Sequence, residues 1–220
     1  MKQNILVSML LALGVTAFAG CGKKTPEKAA AQEIDFGSFK DSVYRNDYFG
    51  LTMTLPPEWS VLDSEEHHRL SESGHELLAG DDKNLKAVLK ASELTTVNLW
   101  GAFRHPVGSA VEFNPSILCV AERVGHLRGI KTGKDYLFHA KKFMKAGKME
   151  FQFPTETSTE SIAGRDFGVM PVEMIALDVT TTQLYYACIM KGYALVVILS
   201  YSTDEERQSL QDILNSMVLK

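Results

Sequence analysis

The strongest constraint on the fold is a pair of apolar runs near the C-terminus, which Lys191-Gly192 joins: TQLYYACIM and YALVVILSY. Glycine accepts the positive φ angle that a tight hairpin turn needs, so this pattern predicts a β-hairpin. The run from Tyr193 to Leu199 scarcely alternates between apolar and polar residues. A strand with that pattern is covered on both faces. The sequence therefore predicts a central antiparallel hairpin with other elements packed above and below it.

Two helices are marked by capping signals. Thr132 and Asp135 form a capping pair ahead of an apolar stripe, and Gly147 is the predicted stop. Thr203 and Glu206 fit a capping box, in which each side chain satisfies a free backbone N–H group. The second helix continues with a stripe at helical spacing, formed by Leu210, Ile213, Leu214 and Met217.

The remaining elements are predicted from shorter patterns. Apolar and polar residues alternate over 51–55, which predicts a half-buried strand, and Pro56-Pro57 ends it. The polar segment 63–79 is predicted to be helical in part, although it contains Gly74. Segments 86–103 and 113–124 are predicted to form strands, the second after an Asn-Pro turn.

These elements together resemble the PsbP-like family. The resemblance rests on Tyr44-Arg45-Asn46, Phe49-Gly50-Leu51, Pro56 and Trp59, and on the late hairpin followed by an amphipathic helix. It implies an α+β fold in which helices sandwich an antiparallel β-sheet (α/β/α). The family includes an extrinsic photosystem II subunit, a Ran-binding import factor and many bacterial lipoproteins of unknown role. Because such a fold hosts unrelated functions, the resemblance implies no activity and no functional residue.

The N-terminus has the pattern of a secretory signal: a positive start at Lys2, an apolar stretch over 5–19, and small residues at its end. Phe18-Ala19-Gly20-Cys21 resembles the lipobox of bacterial lipoproteins, which implies cleavage before Cys21 and acylation of its thiol. The alternative is a plain cleaved signal with an incidental cysteine. The predicted organisation is a signal peptide over 1–20, the lipidated cysteine with a flexible spacer over 21–40, and one domain over 41–220.

The predicted location is the bacterial cell envelope. In lipoproteins an aspartate after the lipidated cysteine often causes retention at the inner membrane, and Gly22 stands at that position here. The sequence therefore favours the outer membrane, facing the periplasm, in a cell with two membranes. In a cell with one membrane, the expected place is the outer face of the plasma membrane.

Composition and motifs exclude several function classes. The net charge of −4 and the lack of a polybasic tail argue against nucleic acid as a partner. The sequence contains no GxSxG, HExxH, P-loop or GxGxxG pattern, so we expect no catalytic residue and no cofactor. His68, Glu72 and His75 would share a helical face and could ligate zinc, but the hydrophilic context favours a solvated face and no metal site.

Cys119 and Cys188 both lie in strand-like runs. Free cysteines in such positions behave as small buried hydrophobes. In an exported protein they could instead form a disulfide, which is the alternative that the sequence leaves open. No histidine partner for a catalytic cysteine is identifiable.

Charge is distributed unevenly along the chain. Residues 122–148 carry eight basic side chains against two acidic ones, and residues 58–82 carry eight acidic side chains against one basic. On the helix after Thr132, Lys134, Lys141 and Lys145 fall within about 40° of one another, with Phe138 beside them. One interpretation is a solvated lysine face with Phe138 packed under a loop. The other is a contact surface for anionic lipid headgroups or an acidic protein partner.

The sequence therefore predicts a membrane-anchored lipoprotein that acts as a non-enzymatic binding or assembly module. The alternatives are a periplasmic enzyme, a metal-binding protein or a carrier of a small ligand, whose site would be assembled from residues distant in sequence. Such a protein needs a cleft with convergent polar groups, whereas a binding module can use an open surface.

Overall fold

The computed structural model describes residues 35–176 and 179–220, which form a mixed α+β fold. The strands are β1 (Ser38–Lys40), β2 (Val43–Asn46), β3 (Leu51–Thr54), β4 (Ser60–Val61), β5 (Thr96–Phe103), β6 (Ser116–Arg123), β7 (Glu150–Gln152), β8 (Ser158–Ile162), β9 (Arg165–Ala176), β10 (Val179–Met190), β11 (Tyr193–Tyr201) and β12 (Val218–Leu219). The helices are α1 (Ser64–Ala79), α2 (Lys83–Glu93), α3 (Gly133–Ala146) and α4 (Asp204–Asn215).

A large antiparallel sheet forms the middle of the molecule. Its strand order is β4-β5-β6-β11-β10-β9-β7, and β8 also pairs with β9. The predicted hairpin is confirmed as β10 and β11, and both turn residues have positive φ, 50° at Lys191 and 81° at Gly192. All residues of β11 after Tyr193 are buried, which confirms that this strand is covered on both faces.

Each face of the large sheet carries its own hydrophobic core. Helices α1, α2 and α3 cover one face, with Leu78, Leu89 and Leu137 among the side chains buried there. Helix α4 covers the other face together with a small antiparallel sheet of order β1-β2-β3-β12. The predicted α+β class, an antiparallel sheet sandwiched by helices, is confirmed, and the small sheet is an additional layer on one side.

Segment 86–93 was predicted as a strand, and this prediction is wrong. The segment belongs to α2, because the Asp82 carboxylate accepts hydrogen bonds from the N–H groups of Asn84 and Leu85 at 2.9 and 3.0 Å and so caps a helix. Leu85 and Leu89, four residues apart, then bury one face of that helix. The strand prediction for 86–103 holds for its second half, where β5 begins at Thr96.

The small sheet begins within the segment predicted as a spacer. Strand β1 pairs with β2, and the Phe39 ring lies 5.3 Å from that of Tyr44 and 5.8 Å from that of Trp100. Cys21 and the predicted signal peptide over 1–20 lie outside the described residues. In the described part of the chain, none of the helices has the length and apolar character that a bilayer span requires.

Helix α3 is fixed at both ends by close backbone approaches. At its N-terminus, a Cβ atom on Gly133 would lie 1.7 Å from the carbonyl oxygen of Ala187 in β10 and 2.8 Å from the backbone nitrogen of Gly168 in β9. At its C-terminus, the N–H group of Lys148 donates to the carbonyl oxygen of Leu78 in α1 at 2.8 Å. The helix is therefore held against the sheet and against a neighbouring helix.

The Gly133→Ala substitution tests this packing. The methyl group has no space against the β10 backbone, so we expect the free energy of unfolding to fall by about 3 kcal/mol. Gly129→Ala is the control, because a Cβ atom there meets nothing within 4 Å and should change stability by less than about 0.5 kcal/mol. Urea denaturation measures both, and equal stability of the two variants would contradict the close approach.

Candidate binding face on helix α3

Helix α3 turns one side towards the sheet and the other towards solvent. Leu137, Ala140 and Met144 are fully buried on the inner side. The buried Tyr136 hydroxyl donates a 2.8 Å hydrogen bond to the Glu122 carboxylate in β6. Burial raises the pKa of Tyr136 well above its usual value, and the adjacent carboxylate raises it further, so this phenol stays protonated. These contacts fix the direction in which the outer side chains point.

The outer side combines lysines with two phenylalanine rings. We define the basic-aromatic face as Lys134, Phe138, Lys141, Lys142 and Lys145 of α3 together with Phe153, which follows β7. It borders a half-open groove of about 480 Å³, whose lining also includes Glu156 and Thr157 of the β7–β8 loop. The groove therefore lies between a helix and a loop at the outer edge of the large sheet.

Cation–π contacts arrange the lysine side chains in this face. The Lys141 and Lys145 ammonium groups lie 4.7 and 5.5 Å from the centre of the Phe153 ring. The Lys142 ammonium lies 4.3 Å from the centre of the Phe138 ring. At an exposed site such a contact is worth about 0.5–1 kcal/mol, enough to favour one placement of a flexible lysine.

The positive charge of the face is only partly offset, since Glu156 is the one acidic residue among the lining residues of the groove. Among the described residues, none of its four lysines forms an ion pair. Asp135, the acidic residue of α3, is engaged at the N-cap, where its carboxylate accepts from the Thr132 hydroxyl and from two backbone N–H groups. These hydrogen bonds lower the pKa of Asp135, the Thr132 hydroxyl having the largest effect. The four ammonium groups therefore remain available to an external anion.

The structure brings the predicted partner-binding residues together. Lys134, Phe138, Lys141 and Lys145 all line the groove. Phe138 is 55% exposed, so the interpretation that a loop covers its ring is wrong. Sequence reasoning missed Lys142 and Phe153. The i, i+4 spacing of Phe138 and Lys142 was a usable signal, whereas the position of Phe153 depends on how β7 pairs with β9.

A zinc site on α1 would require His68, Glu72 and His75 to converge, and the structure does not bring them together. His68 and Glu72 are exposed and lie 3.4 Å apart on α1. His75 is buried and faces α2, where its Nδ1 atom is 3.0 Å from a Glu93 carboxylate oxygen. In the described part of the chain, no group of three His, Cys, Asp or Glu side chains is arranged to hold a metal ion.

Cys119 and Cys188 are both buried, and they are not bonded to each other. The structure therefore supports two free buried thiols rather than the disulfide that the sequence left open. Burial raises the pKa of the Cys188 thiol to about 12, a rise that nearby Arg165 partly offsets. Burial also raises the pKa of Cys119, and more strongly. Because the thiolate is the reactive form, both thiols are expected to be inert in the folded chain.

A second groove, of about 350 Å³, lies at the open edge of β5. Two of its lining residues, Thr96 and Asn98, carry side-chain oxygens (Oγ1 and Oδ1) that are buried without a hydrogen-bond partner among the described residues. The ring of His67 is also buried, and burial lowers its pKa more than the nearby Trp100 carbonyl raises it. Because these atoms are buried, they do not themselves form a polar surface in the groove.

Comparisons with known proteins find similarity of shape. No family model matches the chain, and no curated protein matches it. The solution structure of cyanobacterial PsbP (CyanoP) from Synechocystis sp. PCC 6803 is 13% identical, with 88% of this chain and 100% of that chain covered and a TM-score of 0.49. LpqN of Mycobacterium tuberculosis, described as involved in cell envelope biogenesis, is 15% identical, with 77% and 83% covered and a TM-score of 0.41.

A third similar structure is PA94 of Pseudomonas aeruginosa, a protein of unknown function. It is 10% identical, with 52% of this chain and 78% of that chain covered and a TM-score of 0.41. Likeness at these identities concerns overall shape and carries no conclusion about activity or partners.

Thiol titration tests the state of the two core cysteines. In the Cys21→Ala chain without reductant, we expect two free thiols after unfolding, and in the folded protein a reaction at least about a hundredfold slower. A thiol-reactive dye followed by absorbance measures both. The absence of free thiols in denaturant would reveal a disulfide, and rapid labelling of the folded chain would contradict burial.

Proposed function

We propose that this protein is a lipid-anchored, non-enzymatic binding module of the bacterial envelope, and that its basic-aromatic face engages an anionic partner. The observation that carries the proposal is a set of four ammonium groups around one groove, none of which forms an ion pair within the described part of the chain. The groove is lined by lysine, phenylalanine, glutamate and threonine. This is a lining suited to charge recognition rather than to nucleophilic or metal-assisted chemistry.

The anchor sets where the domain works. Each buried methylene of an acyl chain contributes about 0.8 kcal/mol, so two or three chains on Cys21 would hold the protein at a membrane surface. Because Gly22 follows the cysteine, we place the protein at the outer membrane, facing the periplasm, in a cell with two membranes. Tethering also raises the local concentration of the domain near any other envelope component.

The binding free energy of the face is expected to come from several weak charge interactions that add up. A single exposed ion pair contributes about 0.2–1 kcal/mol, which is too little for recognition by itself. Four ammonium groups around one groove act together on a multivalent anion, and they steer its approach over about 10 Å. The binding is therefore expected to weaken as salt concentration rises.

Charge reversal at Lys134, Lys141 and Lys145 tests the face. Replacing all three with Glu removes attraction and adds repulsion, so we expect association with the native envelope partner to weaken by about tenfold or more. The matched control reverses Lys83, Lys86 and Lys90, which are exposed on α2 and should leave association within about twofold. Quantitative co-purification after crosslinking in the native host measures both variants.

Two results would overturn this assignment. Equal association of the two triple variants would show that charge on α3 is not used. If association instead depended on His67→Ala and not on the lysines, the groove at β5 would be the functional site, and the protein would be a small-ligand carrier or enzyme.

The Cys21→Ala substitution tests the anchor separately. Native protein from the host should carry a mass increase from acyl chains at Cys21, and the variant should leave the salt-washed membrane fraction. Intact-mass measurement and fractionation report these outcomes. An unmodified Cys21 thiol, or a leader still attached in the native protein, would exclude lipid anchoring while leaving the test of the lysine face intact.

A further inference from the structure

We propose that the occupant of the groove is an extended acidic segment of a partner protein, which places acidic side chains against the lysines and an apolar side chain against Phe138. This inference rests on the proposed function and names the partner class of the same site. Charge complementarity is the first argument. Around the groove, four lysines are opposed by Glu156 alone among the lining residues, so an incoming chain with several carboxylates gains more than a neutral one.

The shape of the site favours a polypeptide over a bilayer surface. The groove is bounded by α3 on one side and by Glu156 and Thr157 of the β7–β8 loop on the other. A flat layer of headgroups would contact the rims and leave much of the space between them unfilled. An extended segment has the width of a single chain and can enter a groove of about 480 Å³ with a few of its side chains.

The apolar stripe of α3 is not available for membrane insertion. An interfacial helix buries an apolar face in the headgroup region. In α3 that face is already occupied, because Leu137, Ala140 and Met144 are packed against the large sheet. Phe138 is the large apolar side chain left outside, and the Lys142 ammonium lies over its ring. One ring of this kind suits a contact with a partner side chain, since exposed aromatic anchors dominate many protein interfaces.

Three of the four lysines have a favoured placement before a partner arrives. Lys141 and Lys145 share the Phe153 ring, and Lys142 lies on the Phe138 ring. Ordering a free lysine side chain costs about 0.5–1.5 kcal/mol on binding. Because these contacts already limit the rotamers, part of that cost is avoided. The Lys141 and Lys145 ammonium groups both lie within 5.5 Å of the centre of the Phe153 ring, which favours a ligand that carries more than one negative charge.

Direct binding to defined probes tests the occupant. The probes are a labelled peptide of alternating Glu and Phe, a matched peptide of alternating Gln and Phe, and vesicles of phosphatidylcholine with or without phosphatidylglycerol. The protein is the full chain carrying Cys21→Ala, with and without Glu at Lys134, Lys141 and Lys145. We expect the acidic peptide to bind at least about tenfold more tightly than the Gln peptide, and the triple variant to lose that preference.

Two further variants make the test specific to the groove. Phe138→Ala should weaken binding of the acidic peptide by about fivefold. The salt dependence of that binding should stay unchanged, because the substitution removes packing area and no charged group. Glu156→Gln should strengthen binding by about twofold, since it removes a like charge from the opposite rim. Reversal of Lys83, Lys86 and Lys90 on α2 serves as the control. It should change neither the affinity for the acidic peptide nor the salt dependence of its binding.

Each outcome distinguishes this inference from the proposed function. Lysine-dependent binding to phosphatidylglycerol vesicles without binding to the acidic peptide would overturn the acidic segment and retain an anionic partner. Binding to neither probe would overturn both. Acidic-peptide binding that Phe138→Ala and Glu156→Gln leave unchanged would place the contact outside the groove and also overturn the inference.

Discussion

The structure depends on one constraint, which is that the β10–β11 hairpin is buried on both faces. Its backbone groups are satisfied by antiparallel pairing with β9 on one side and β6 on the other. Its side chains divide between two cores, one under α1, α2 and α3 and one under α4 and the small sheet. Because both faces must be covered, removal of either covering layer would expose a large apolar surface of the sheet to water.

This constraint also determines how the candidate site is presented. Helix α3 can lie close to the hairpin because Gly133 and Gly168 allow the backbones to approach. The Tyr136–Glu122 hydrogen bond and the buried leucine side chain of Leu137 fix its rotation. With rotation and both ends fixed, the lysines of the outer side occupy defined positions over the β7–β8 loop. A rigid support of this kind reduces the entropy lost when a partner binds.

Sequence reasoning succeeded where local chemistry determines the element. The hairpin turn at Lys191-Gly192 and the capping boxes at Thr132 and Thr203 are local signals, and the structure confirms all three. It failed for α2, where Val88 and Leu89 were interpreted as strand residues although the Asp82 cap and the Leu85–Leu89 spacing favour a helix. Strand β12 has two residues and no pattern of its own, because its pairing with β3 alone defines it.

The candidate site was predictable to a similar extent. The lysine face of α3 follows from helical spacing. The structure adds that the face borders a groove and that its lysines form no ion pair with any residue in 35–176 or 179–220. Phe153 and Glu156 could not be assigned to it from sequence, since their positions follow from the pairing of β7 and β8 with β9. Likewise, the separation of His75 from His68 arises because His75 faces Glu93 on α2, a contact between helices that spacing within α1 does not reveal.

The most direct test of the central claim, that α3 makes the contact, is site-specific photo-crosslinking in the native host. A benzophenone amino acid replaces Phe138 in one strain and Leu94, which is 85% exposed at the end of α2, in another. The account predicts a discrete protein adduct from position 138 that is absent from position 94, and whose crosslinked peptide is rich in Asp and Glu. The same products from both positions, or none from position 138, would contradict the contact at α3. A lipid adduct from position 138 would instead contradict the acidic protein segment.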